Sequence, residues 1–65
     1  MKIKNILDLV NQLFYGEIEK IYIRNYSKRE VYQLSKLSLE EIYKYDINNI
    51  DGISIENDDI YLNFC

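Results

Sequence analysis

The sequence predicts an α+β fold: a four-stranded antiparallel sheet covered on one face by two helices, in the order α-β-β-α-β-β. Three observations carry that expectation. Apolar residues recur at helical spacing near Met1, two later stretches alternate apolar and polar residues around short polar turns, and a helix-capping signature lies between those stretches. A helix stripe or sheet face that is apolar must be buried against another element, so two helices on one side of one sheet is the economical assembly. The other sheet face then stays open to solvent.

The first helix is predicted from Ile3, Ile6, Leu7, Val10, Leu13 and Phe14, spaced three and four apart, with Asn5 as cap, Asp8 three positions on and Gly16 as the stop. The period then changes to two. Ile21 and Ile23 alternate with Tyr22, Arg24 and Tyr26, and Glu30 to Leu34 resume the pattern after Ser27-Lys28-Arg29. Setting Tyr26 opposite Arg29 pairs Ile23 with Tyr32 and Ile21 with Leu34, which gathers the apolar residues on one face; a one-residue slip destroys that agreement. Lys20, Tyr22, Arg24, Tyr26, Val31 and Gln33 then share the opposite face.

Ser38-Leu39-Glu40-Glu41 reads as a capping box, with Leu37 and Ile42 placed as a hydrophobic staple. A short helix is expected from Leu39 to about Tyr45, burying Leu39, Ile42 and Tyr43 and ending at the polar Asp46, Asn48 and Asn49. The last segment reads as a second hairpin around Asp58-Asp59, with Asn57 opposite Ile60, Ile55 opposite Leu62 and Ile53 opposite Phe64. Its polar face carries Ser54, Glu56, Tyr61 and Asn63. No linker, internal repeat or low-complexity tract divides residues 1–65, so a single small domain is expected.

Composition narrows the chemistry. A chain of 65 residues buries only about 60% of its unfolded surface, so any active site would share residues with its one small core. The chain has no His, which removes the Ser-His-Asp and Cys-His arrangements, and its two glycines, Gly16 and Gly52, cannot write a phosphate-cradling loop or a dinucleotide fingerprint. Its one cysteine, Cys65, forms no internal disulfide and has no neighbouring base in sequence; an inert or partly packed thiol is expected. These exclusions point away from an enzyme, a cofactor or a metal. The apolar runs are far shorter than the ~20 residues that a membrane helix needs, and Asp8 and Asn11 interrupt the only candidate signal-peptide core. A reducing, cytoplasmic setting in a bacterial host is expected, with no membrane partner. Ile, Asn, Lys and Tyr supply 31 residues while Ala and Thr are absent, a bias that follows from AT-rich codons.

Two surfaces remain as candidates for recognition. Tyr22, Arg24 and Tyr26 interleave on the predicted open face, with Tyr61 on the other hairpin. Tyrosine offers large contact area at low entropic cost to a protein partner; the same rings could stack bases while cations hold phosphates, or could simply be good strand formers. The second surface is acidic. Residues 1–37 carry a net charge of +3 and residues 38–65 a net charge of −6, and Asp46, Asp51, Glu56, Asp58 and Asp59 concentrate the negative charge. That group could face a basic partner by imitating DNA phosphates or hold a divalent cation, although no spacing matches a calcium loop. With no proline to protect the sheet edges, the sequence also permits a homodimer through an edge strand or the tyrosine face.

The opening Met1-Lys2-Ile3-Lys4-Asn5-Ile6-Leu7, the strand Lys20-Ile21-Tyr22-Ile23, the capped Leu37-Ser38-Leu39-Glu40-Glu41 and the stretch Ile53 to Leu62 resemble short phage and mobile-element proteins of AT-rich Firmicutes. That group includes anti-CRISPR and other anti-defence inhibitors, which bind host machinery stoichiometrically. The resemblance implies a small protein-binding module, an inhibitor of a bacterial defence or nucleic-acid-processing complex whose partner is a host protein or ribonucleoprotein. A nucleotide or single-stranded nucleic-acid module using the tyrosine face is the alternative.

Overall fold

The computed structural model describes residues 3–65; Met1 and Lys2, the start of the opening segment, lie outside the described residues. Helix α1 spans Ile6–Leu13 and is capped as the sequence predicts, the Asn5 side chain accepting from the Asp8 amide at 2.9 Å. It ends where Tyr15 and Gly16 both take positive φ and the Gly16 N–H donates to the Val10 carbonyl. Its buried residues are Ile6, Leu9 and Val10, with Ile3, Leu7 and Phe14 packed against them; Leu13 is half exposed.

Strands β1 (Ile21–Asn25) and β2 (Glu30–Gln33) form the first hairpin in the expected register, with Ile23 opposite Tyr32 and Arg24 opposite Val31. The turn is held by Asn25, whose side-chain oxygen accepts from the Ser27 hydroxyl and the Lys28 amide. A 3-10 turn buries Leu34, and helix α2 (Leu39–Tyr43) follows with both bonds of the Ser38–Glu41 capping box in place. The helix is shorter than expected and buries only Ile42; Leu39 and Tyr43 stand 59% and 56% exposed. A helix of so few residues presents one inward position, and Tyr45, just past its end, takes the second inward role by packing on Phe64 with ring centroids 5.2 Å apart.

Strands β3 (Ile50–Glu56) and β4 (Asp59–Phe64) form the second hairpin, and here the register differs from expectation. The turn residues are Asn57 and Asp58, both at positive φ, so the connection is a two-residue type I′ turn closed by Glu56 and Asp59. Asn and Asp tolerate that backbone region better than other side chains, which fixes the turn one position earlier than Asp58-Asp59. Ile55 therefore pairs with Ile60 and Ile53 with Leu62. Each partner shifts by two residues, so every side chain keeps its expected face.

The sheet order is β2-β1-β4-β3, and it is mixed: β1 and β4 are parallel, with Ile21 beside Ile60, Ile23 beside Leu62 and Asn25 beside Phe64. The fully antiparallel expectation fails on this central pair. Because β2 and β3 each run against a central strand, they run in the same direction, and residues 34–49 must return the chain from the end of β2 to the start of β3. A capped helix in that segment suits such a crossover. Ile21, Ile23, Leu34, Ile42, Leu62 and Phe64 form one core with α1. No helix among the described residues is long and apolar enough to cross a membrane.

Burial ranks the positions for mutation. Ile23→Ala or Leu62→Ala should cost about 2–5 kcal/mol, comparable with the whole stability of a domain this small, whereas Leu39→Ala should stay within about 0.5 kcal/mol. Asp58→Gly, which gives the preferred Asn-Gly type I′ pair, should raise the urea midpoint. Equilibrium urea unfolding monitored by circular dichroism checks all four.

Candidate functional site

The sheet face away from the helices gathers Tyr22 and Arg24 of β1, Tyr61 and Asn63 of β4, and Ser54 and Glu56 of β3. The parallel pairing sets Tyr22 directly beside Tyr61, and their rings stack with centroids 5.2 Å apart at 21°. Arg24 lies one step along, its guanidinium carbon 4.5 Å from the Tyr61 ring centre and 5.3 Å from that of Tyr26. Tyr26, beyond the end of β1, is tied to the sheet by its N–H, which donates to the Phe64 carbonyl at 2.9 Å. All four residues that the sequence singled out for this face are therefore brought together.

Two groups that the sequence did not connect with Arg24 hold it in place, and a third braces one of them. Arg24 Nε donates to Asn63 Oδ1 at 2.9 Å, and its terminal nitrogen donates to Glu56 Oε2 at 2.8 Å. The Asn63 amide in turn donates to the Ser54 hydroxyl at 2.9 Å, which explains how a buried asparagine is tolerated. Hydrogen bonding to Glu56 is the main cause that raises the Arg24 pKa above its ordinary value. Asn63 and Ser54 could be assigned to the open face by alternation, but their link to Arg24 required the parallel register.

Glu56, one of the five acidic residues, stands on the polar face that alternation assigns to it, and there its carboxylate is compensated by Arg24. Asp46 caps a 3-10 turn at Ile47–Asn49, accepting from the Asn48 amide at 2.9 Å; Asp51 occupies the bulge between Ile50 and Gly52; Asp58 forms the hairpin turn and Asp59 closes it. Each has a local structural role, and no group of three potential ligands able to hold a metal ion occurs among the described residues.

A cavity of about 370 Å³ opens at the carboxyl ends of β1 and β4, bounded by Asn25, Tyr32, Glu41, Lys44, Tyr45 and Asp46 among others. Sequence reasoning did not find it, because its walls come from β1, β2, β4, α2 and the segments between them, which only the tertiary fold brings together. Its carboxylates are engaged: Glu30 accepts from the Tyr32 hydroxyl, Glu41 from the Ser38 amide and Asp46 from Asn48. The bond to Glu30 raises the Tyr32 pKa, burial raises that of Tyr45, and the bond from the Ser38 amide lowers that of Glu41.

The Glu41 shift gives a pH dependence of known sign. Its folded-state pKa lies below the ordinary 4.5, so its contribution to stability is complete above that value and lost as pH falls through the lower folded value. Tyr32 and Tyr45 act oppositely, contributing below pH 10 and losing that contribution as pH rises through their raised values. Glu41→Gln, which keeps the capping geometry without the charge, should reduce the fall in urea midpoint between about pH 5 and pH 3 relative to the parent. Comparison with protein-family models, with characterised proteins and with solved structures finds no match, so the geometry of these surfaces carries the functional argument.

Proposed function

We propose that the protein is a non-enzymatic binding module that docks a protein partner through Tyr22, Tyr26 and Tyr61, arranged around Arg24. The observation that carries this reading is the anchoring of Arg24 by Glu56 and Asn63 against the rings of Tyr26 and Tyr61. It fixes three partly exposed tyrosines before any partner arrives, which lowers the entropic cost of association. Tyrosine and arginine are also the side chains enriched among residues that dominate protein interfaces. The acidic residues Asp46, Asp51, Asp58 and Asp59 add a negative field that would steer a basic partner, and the resemblance to anti-defence inhibitors makes a bacterial defence or nucleic-acid-processing complex the partner class.

The same observation disfavours bases and phosphates on this face. Glu56 neutralises the cation that would hold a phosphate and places a carboxylate where one would sit.

Affinity capture from a bacterial lysate containing such a complex, followed by titration of the recovered partner, tests the reading. Tyr22→Ala and Tyr61→Ala should each weaken binding by about 30-fold or more, with circular dichroism unchanged. Undiminished binding by the double variant would reject the tyrosine face. Tyrosine fluorescence should not respond to nucleotides or single-stranded oligonucleotides, and a saturable response abolished by Tyr22→Ala would establish the nucleic-acid alternative.

A further inference from the structure

Strand β3 forms one edge of the sheet, and among the described residues no other strand pairs with its outer side. The two-residue turn makes Glu56 and Asp59 a pair that exchanges both hydrogen bonds, so alternation along an antiparallel ladder turns the N–H and C=O of Ile55 and Ile53 outward. Their side chains share the face of Ile60 and Leu62, yet lie beyond the cover of the helices, 45% exposed at Ile53 and 72% at Ile55. Two edge protections are missing here: the chain has no proline, and β3 carries no lysine or arginine, its charges being Asp51 and Glu56. The bulge at Asp51 lies at the far end and leaves Ile53 to Glu56 regular.

We propose that β3 is a self-pairing edge, along which two copies of this chain join antiparallel into one continuous sheet with Ser54 on the two-fold axis. Each Ile53 then faces the partner's Ile55, the four outward backbone groups of Ile53 and Ile55 meet their counterparts, and four isoleucines join into a strip continuous with both cores. This register also keeps charges apart, setting Glu56 opposite Gly52 and Asp51 opposite Asn57 of the other copy. Moving the axis to Ile53 would put Asp51 against Ile55, and a one-residue slip would oppose Asp51 to Glu56 while turning the outward groups away from each other. A second copy is thus the occupant whose own sequence matches this edge.

Sedimentation equilibrium over a concentration series up to roughly millimolar chain tests the proposal. The mass should rise from the 7.9 kDa monomer toward twice that value. Ile55→Pro removes an outward-facing N–H that β4 does not use, together with one isoleucine of the strip, and Ile55→Lys adds charge at an exposed position; both should hold the mass at monomer while circular dichroism stays unchanged. In a Cys65→Ser background, oxidised Ser54→Cys should form a disulfide-linked dimer, because only the proposed register brings residue 54 against itself. A parent that stays monomeric throughout, or a dimer that survives both Ile55 variants, would overturn self-pairing. A monomeric parent that binds an added β-strand peptide would assign the edge to a foreign strand instead.

Discussion

The parallel contact between β1 and β4 is the constraint on which the rest of the molecule depends. It places Ile21, Ile23 and Leu62 at the centre of the sheet with no solvent exposure. Each of these strands belongs to a different hairpin, so the contact joins distant parts of the chain and carries the loop-closure cost that local hairpins avoid. Once it forms, the directions of all four strands follow, and so does the need for residues 34–49 to cross back over the sheet. The same alignment gives the other face its pattern, because residues side by side in a parallel pair stack alike: Tyr22 against Tyr61, Arg24 against Asn63.

A domain this small meets its remaining demands with local chemistry. Five non-glycine-like turn and cap problems are solved by side chains suited to them: Asn5 and Ser38 at helix starts, Asp46 at a 3-10 turn, Asn25 at the first hairpin, and Asn57-Asp58 at the second. These contacts are worth about 1 kcal/mol each at the helix caps, which matters when a single buried side chain accounts for much of the total. The two acidic residues Asp46 and Asp58 are thereby explained as structural groups first, and the net negative charge of residues 38–65 is in part a by-product of capping and turn formation.

Local features were legible in the sequence and directions between distant elements were not. Asn5, the Ser38–Glu41 box and the first hairpin's register depend on residues within a few positions of one another, where side-chain type nearly determines geometry. The faces of both hairpins were legible for the same reason, and they survive even the two-residue shift at Asn57-Asp58 because side chains alternate with period two. Whether the hairpins meet parallel or antiparallel leaves no trace in either hairpin. The capped α2 between β2 and β3 was the available signal, since a helix in that position serves a crossover better than a direct return. The grouping of Tyr22, Arg24, Tyr26 and Tyr61 was legible from alternation, whereas the Glu56 and Asn63 contacts that organise them depend on the parallel register.

Edge pairing and the tyrosine face are related through β3. An antiparallel junction within a sheet has its two-fold axis perpendicular to that sheet, so both copies would turn their tyrosine faces to the same side. Glu56, which holds Arg24 against the rings, sits on the strand that would form the junction, and its side chain points to the open face, leaving the Arg24 contact intact on pairing. A dimer would then present two ordered tyrosine clusters in one plane. Against a partner with repeated sites, the second contact becomes intramolecular, and a weak single-site affinity is multiplied without any new residue. A small chain with limited surface for one strong interface gains reach in this way from the edge that its fold leaves open.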